Sequence, residues 1–265
     1  MRRRNFIKLV AGAAVSALVL IRLVCAQDLM RHLDLTSPEM TSAEMTRADV
    51  EAALASQQTD FSGKKLSGLD LSGLDLSGIG LRAARLNKTR LVGTKLDRAI
   101  LDQAWLLDAD LSHASLRNAS LFAAQMRGAK LDNADLSGAR IAADLTGASL
   151  AGAVIKGANL APDMKNQSMG LMRAVLRSAN LSGANLQQAD LSRADLEFAS
   201  LAHADLTGAS LRGALLGGAN LTGAIVSDAD FFDTDLASAR LVDAIGVGSA
   251  RNFDRAMNLD RLLRE

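Results

Sequence analysis

The sequence predicts an all-β solenoid, a stack of coils that turns a corner every five residues. Three observations predict it. Counting by fives from Phe61, nearly every stop is a leucine, from Leu66, Leu71, Leu76 and Leu81 on to Leu111, Leu116 and Leu121. Two residues before most of the later stops stands an alanine, as at Ala99, Ala104, Ala109, Ala114 and Ala119. The other three positions of each unit are polar or Gly and vary freely. A period of five is neither the helical period of about 3.6 nor the strand period of about 2. A strict repeat over most of a chain marks a stacked array rather than a globular enzyme core. A helix would carry such a period around its whole surface. A coil with one large and one small inward position per side accommodates it.

The best-preserved units read Ala134-Asp135-Leu136-Ser137-Gly138, Ala179-Asn180-Leu181-Ser182-Gly183 and Ala219-Asn220-Leu221-Thr222-Gly223. These units resemble the pentapeptide-repeat family, over a stretch from Phe61 to Leu241. The resemblance implies a right-handed quadrilateral β-helix, one pentapeptide to a side and about four to a coil. It places the central Leu or Phe in the interior and the Ala beside it, where little room remains.

The elements follow in chain order. Residues 1–26 read as a signal peptide. Arg2, Arg3, Arg4 and Lys8 precede an uncharged stretch, Leu9 to Ile21, that is too short to span a bilayer. Val24-Cys25-Ala26 suits cleavage after Ala26. Arg3-Arg4-Asn5-Phe6-Ile7-Lys8 resembles the twin-arginine export motif, with Arg3, Arg4, Phe6 and Lys8 at its defining positions and Ile7 where Leu is usual. A general secretory signal is the other reading. Residues 27–45 lack clear periodicity and are expected to form a flexible leader.

Residues 46–60 should form an N-terminal cap. Thr46-Arg47-Ala48-Asp49 is a capping-box pattern with Asp in place of Glu. Val50, Ala53 and Leu54 follow at helical spacing, which predicts a helix over about 47–56. The array then occupies 61–247. Its phase shifts one residue early at Leu145 and breaks at 161–170, a segment containing Pro162; Leu171 restores the first register. Proline cannot donate to a ladder, so a loop or bulge is expected there. Residues 248–265 carry Phe253, Met257, Leu259, Leu262 and Leu263 among Arg and Asp, the pattern of a helical C-terminal cap.

Removal of residues 1–26 takes away Arg2, Arg3, Arg4, Lys8 and Arg22 and no acid, so the net charge of +1 becomes −4. It also removes Cys25, so no disulfide framework is needed in an oxidising compartment. The charge is polarised. Arg82, Arg85, Lys88, Arg90, Lys95 and Arg98 form the most basic stretch, and Asp228, Asp230, Asp233 and Asp235 the most acidic. Nucleic acid or anionic lipid could meet the first; the second lacks the spacing of an EF-hand. Both are ordinary solvated faces on the simpler reading.

Ile100, Trp105, Leu107, Phe122, Phe198 and Phe232 fall at outward positions. Ile100 and Trp105 hold a slot that elsewhere is Asp or Asn. Ile100, Trp105, Leu107 and Phe122 are the candidate partner patch. His32, His113 and His203 lack ligand spacing, and no phosphate-binding loop is present. No catalytic, metal or cofactor residue is therefore assigned, and no small-molecule substrate, nucleic acid or membrane span in the mature chain is expected. The reading is a periplasmic, non-enzymatic scaffold for a protein or cell-envelope partner. The alternative is a DNA-mimicking, gyrase-binding protein of the quinolone-protection type. That role needs a cytoplasmic location and a dense acidic surface. Members of the family dimerise end to end, and 248–265 would either block or mediate a homodimer.

Overall fold

A computed structural model describes residues 34–163 and 173–264. The expected signal peptide, with Arg3, Arg4, Phe6, Lys8 and Ala26, lies outside the described residues, as do residues 27–33 and Leu171.

Parallel bridges join each residue before a central Leu to its equivalent one coil on: Asp60 to Gly80, Gly80 to Ile100, Lys65 to Arg85, Asp70 to Arg90, Asp75 to Lys95. The partners are 20 residues apart and the repeat is five, so the coil has four sides. The ladder residues 60, 65, 70 and 75 begin sides 1 to 4. Nine circuits and three sides of a tenth stack on one axis.

Each pentad makes the same bonds. In the unit that starts at Leu81, the central amide donates to Ile100 O at 2.8 Å and the second turn residue, Ala83, donates to Asp102 O at 2.9 Å. The Ala84 amide closes the corner on Leu81 O at 3.1 Å. This corner has the i to i+3 bond and positive φ at its third residue that define a type II turn. The third residue is therefore Gly at many corners and has positive φ even where it is not, as at Ala83, Gln103, His113 and Phe198.

The interior is two columns per side. The described central residues from Phe61 to Leu241 are buried, and so are the small-slot alanines from Ala84 to Ala239. Each buried Leu contributes roughly 1.5–3 kcal/mol. Thr89, Thr94 and Thr234 replace Ala without leaving a hydroxyl unpaired. Each donates to the carbonyl of a central Leu one coil back, at 2.8, 3.0 and 2.7 Å. The largest centres, Phe61 and Phe231, sit near the two ends, and the ring of Phe231 meets Phe253 edge-on at 5.2 Å.

The N-terminal end is closed by the chain before it. Helix α1 (Pro38–Thr41) is short. Helix α2 (Arg47–Ala55) has the expected capping box, Thr46 accepting from the Asp49 amide and Asp49 from the Thr46 amide. Val50 is buried in the end of the core, with Met45, Ala53 and Leu54 against it. Because this cap fills space above the first coil, the small slots there hold Leu69, Leu74 and Ile79 instead of Ala. The expectation of a flexible leader is corrected for residues 34–45. Met40 is buried, and its carbonyl accepts from Ser67 Oγ at 2.9 Å and Asn87 Nδ2 at 3.0 Å.

The helical C-terminal cap is also corrected. Residues 247–264 continue the solenoid with six residues per side. The bridges Asp230 to Arg251, Asp235 to Met257 and Arg240 to Leu263 lengthen by one residue at each step. Three single 3-10 turns, Val247–Ser249, Phe253–Arg255 and Leu259–Arg261, absorb the extra residue, each entered from a left-handed Gly246, Asn252 or Asn258.

The phase break is two events at one corner, between sides 1 and 2. Ile141-Ala142-Ala143-Asp144-Leu145 has a corner shortened by one residue, and Ala142 and Ala143 are buried. One coil later, 161–173 replaces the usual two turn residues, since Ala174 N donates to Leu160 O. The ladder resumes with Val175 beneath Asp144.

Leu111→Ala should lower stability by about 3 kcal/mol, as a void in a column with no room to collapse. Ala83→Gly, relieving a φ of 52°, should raise it by about 1 kcal/mol. Denaturant unfolding of the purified chain reads both.

Candidate functional site

The corner leaves one amide per pentad, that of the first turn residue, beyond the reach of the ladder. The ladder slot supplies its partner. Asp60, Asp70, Asp110, Asp135, Asn180 and Asn220 each accept from the amide two residues on, at 2.9 to 3.1 Å. This is an Asx turn repeated along the rod. A hydroxyl at the first turn position adds a second bond, as Thr146 gives Asp144 at 2.6 Å.

At four corners where the ladder slot is not Asp or Asn, the cap comes from the coil before. Asp97 accepts from the Arg117 amide at 3.0 Å, Asp102 from that of Phe122 at 3.2 Å, and Asp132 from that of Ala151 at 3.0 Å. The ladder residues at those sites are Ser115, Ser120 and Ser149. At Trp105 the same service comes from Asn87 Oδ1, 3.0 Å from the Leu107 amide. Asn87 thus caps the corner that Trp105 leaves without a local acceptor.

These bonds set the carboxylate chemistry. Donation from Ser62, Ser72 and Ser77 holds Asp60, Asp70 and Asp75 below the usual carboxylate range. Asp97 is pushed down to about 2, first by hydrogen bonds from the Arg117 guanidinium and then, against the penalty of burial, by Ser115. The Arg117 Nη2 to Asp97 distance is 2.6 Å.

The structure spreads the basic stretch around the rod. Arg82, Arg85, Lys88, Arg90, Lys95 and Arg98 lie on one coil and are distributed over its sides and corners. Acids flank them: Asp102 is 3.7 Å from Arg82, Asp75 is 3.6 Å from Lys95, and Asp70 and Asp110 sit on either side of Arg90 in the ladder. A collar of this kind presents no single cationic face to nucleic acid or lipid.

The candidate patch wraps an edge. Ile100 lies on side 1, Trp105 on side 2, Phe122 at the corner between those sides one coil on, and Leu107 at the next corner. All four are half-buried. The Arg140 guanidinium lies 4.5 Å from the Phe122 ring centre, and Arg140 also bonds Asp163 at 2.6 Å. Leu107 joins Leu35, Asp108 and Arg127 in lining a shallow recess of ≈ 400 Å³. Beyond Trp105, the ladder residues of side 2, Gln125, Asp144, Val175 and Asp195, are buried. The most exposed aromatic among the described residues is Phe198, 62% exposed, beside Arg177. Below it the Gly217-Gly218 corner is bare, and a Cβ on Gly218 would stand 2.6 Å from the ring. A bulky residue at positive φ above two consecutive glycines was the signal for it in the sequence. A second recess, ≈ 360 Å³, opens where Ala161 and Pro162 leave the rod, lined by Arg193, Arg212 and Phe232. Arg212 stacks on Phe232 at 4.5 Å and bonds Asp230 at 3.0 Å. His113 and His203 occupy left-handed turn positions in separate coils.

Comparison with known proteins adds the following. A model of pentapeptide repeats matches in eight copies, within residues 108–138 and 171–245. The solved structure of HetL, a pentapeptide-repeat protein involved in heterocyst differentiation regulation in Nostoc sp. strain PCC 7120, is 30% identical. The match covers 83% of this chain and 95% of HetL, with a TM-score of 0.49. QnrB1, a plasmid-mediated fluoroquinolone resistance protein, is 18% identical over 69% of this chain and 87% of its own, with a TM-score of 0.36. A pentapeptide-repeat protein of the Arabidopsis thaliana thylakoid lumen is 24% identical over 63% and 68%, with a TM-score of 0.21. No curated protein sequence matches.

The depressed acidity of Asp97 predicts a pH dependence. A carboxylate whose folded pKa lies below its unfolded value adds stability that is complete above the unfolded value, 3.8, and lost as pH falls through about 2. The shift corresponds to roughly 2 kcal/mol, and the half-exposed Arg117 reduces that through solvent screening to about 1 kcal/mol. Asp97→Asn should therefore lose about 1 kcal/mol at neutral pH and have a shallower acid limb. Unfolding followed between neutral pH and pH 2 tests both.

Proposed function

The chain belongs to the pentapeptide-repeat family, and from that premise we propose that it is an exported, non-enzymatic scaffold that offers the sides of a β-helical rod to a protein of the cell envelope. The right-handed sense of the winding is taken from the family resemblance. One observation carries the scaffold reading. The surface is rich in carboxylates, yet the ladder-slot acids are engaged as caps on backbone amides. A carboxylate committed to a backbone amide of its own turn is a structural part.

Export rests on the sequence: Arg3, Arg4, Phe6 and Lys8 before an apolar stretch, with cleavage after Ala26. We place the partner surface on the edge between sides 1 and 2, where Ile100, Trp105 and Phe122 stand, extended by Leu107. A partner there would straddle a corner instead of lying on a flat side.

Fractionation of cells expressing the tagged full-length chain tests the proposal, beside an Arg3→Lys, Arg4→Lys version. The expected result is processed wild type in the periplasm and the variant retained inside. Unprocessed wild type in the cytoplasm would contradict export and make inhibition of gyrase supercoiling the next assay. In the periplasmic fraction, crosslinked adducts of the wild type should be lost in Trp105→Ala, Phe122→Ala while the variant remains folded; unchanged adducts would remove that edge from consideration.

A further inference from the structure

We propose that the two ends of the rod are complementary to each other, and that the N-terminal cap is a lock that prevents a second copy of the chain from stacking head to tail on it. The ladder is polar. In every coil the amides of the central and second turn residues point toward the C-terminal end, and the carbonyls of the ladder and first turn residues point toward the N-terminal end. Phe61 N to Gly80 O and Gly63 N to Arg82 O, both 2.7 Å, are examples. The first coil therefore presents a row of carbonyls to whatever precedes it, interspersed with ladder-slot amides, which point the same way, as Arg85 N does to Lys64 O.

On sides 1 to 3 part of that row is occupied by the chain itself. Asp60 O accepts from Gln58 Nε2 at 3.0 Å and Lys65 O from the Glu44 amide at 2.9 Å. Asp70 O and Ser72 O accept from the Arg47 guanidinium at 3.1 and 3.2 Å. Each of these donors stands where a preceding coil would place an amide. Val50 covers the apolar cross-section between them.

The opposite end presents the matching donors. After the last ladder residues, Arg251, Met257 and Leu263, come the amides of Asn252, Asn258 and Arg264, which meet no acceptor among the described residues. Phe253, Leu259 and Leu262 are partly buried and cover the end of the core. Six-residue sides do not forbid stacking, because the tenth coil already pairs with the five-residue sides of the ninth. The occupant that fits is a second copy. Its first coil, once uncapped, carries acceptors at the ladder spacing and an apolar cross-section built from the same columns. Such a contact is heterologous and does not close, so it grows in one direction, unlike a two-fold dimer. Unpaired edges of this kind are the recognised hazard of β-structure, and here the hazard is controlled at one end by residues 44–58.

The test uses the full chain with Arg47→Ala and Val50→Asp, which remove the guanidinium and expel the helix. Light scattering after size exclusion should give wild type a mass independent of concentration. The double variant should rise with concentration to several times the monomer mass without a plateau. Hydrogen exchange should show α2 released and coils two to nine still protected. If those coils lose protection, Arg47→Ala alone is read in the same way. Wild type supplies the direction of growth: its C-terminal end can join a growing assembly, but its locked N-terminal end stops the next addition. Equimolar wild type should therefore shorten the assemblies. An uncapped variant with the wild-type mass would overturn the proposal, and so would assemblies that wild type neither enters nor shortens.

Discussion

A corner every five residues leaves one backbone amide per side that no backbone carbonyl of the neighbouring coil takes up, and the placing of Asp and Asn along this rod follows from it. The ladder takes the central, second-turn and ladder-slot amides, and the turn itself takes the amide of the small residue. The first-turn amide is left for a side chain. Left buried and unpaired, such a donor costs about 1–3 kcal/mol. Asp or Asn in the ladder slot removes that cost locally, and an Asp or Asn at the first turn position of the preceding coil removes it from a distance. The acidic surface is thus a consequence of backbone geometry.

The same constraint explains which substitutions the array tolerates. With Trp105 in the ladder slot, Asn87 supplies the cap from the coil before. Ser115 and Ser120 rely on Asp97 and Asp102 in the same way, and their hydroxyls bond those carboxylates as well. Interior substitutions obey a second rule. Threonine replaces Ala where its hydroxyl reaches a carbonyl, and larger apolar residues enter the small slot at the two ends, Leu69, Leu74 and Ile79 in the first coil and Leu262 in the last. Since each coil touches only its neighbours, these local rules set stability almost additively along the rod.

The period of Leu and Ala made the columns, the four-sided stacking and the shift at Leu145 legible, because a buried column tolerates little variation. Thr46 and Asp49 made α2 legible, because a capping box is a local bond. Two parts were not. The segment around Met40 is held by Ser67 and Asn87, contacts that no local pattern announces. Residues 247–264 carry apolar side chains at spacings that also suit a helix. The signal against a helix was the spacing of six between Gly246, Asn252 and Asn258, the residues that accept a left-handed turn most readily. The candidate partner residues lie half-buried at ladder and turn positions. Their spread around a corner, and the cover of Arg140 over Phe122, depend on which residues 20 positions apart become neighbours.

Residue-resolved hydrogen exchange tests the central claim most directly. If every side closes as described, protection through 61–141 and 176–241 will recur with a period of five. Amides of central residues such as Leu111 and Leu136 will be slow. First-turn amides such as Ser112 and Ser137, held only by a side-chain carboxylate, will be the fastest of each unit. Protection with a period near that of a helix, or first-turn amides as slow as the central ones, would contradict the account.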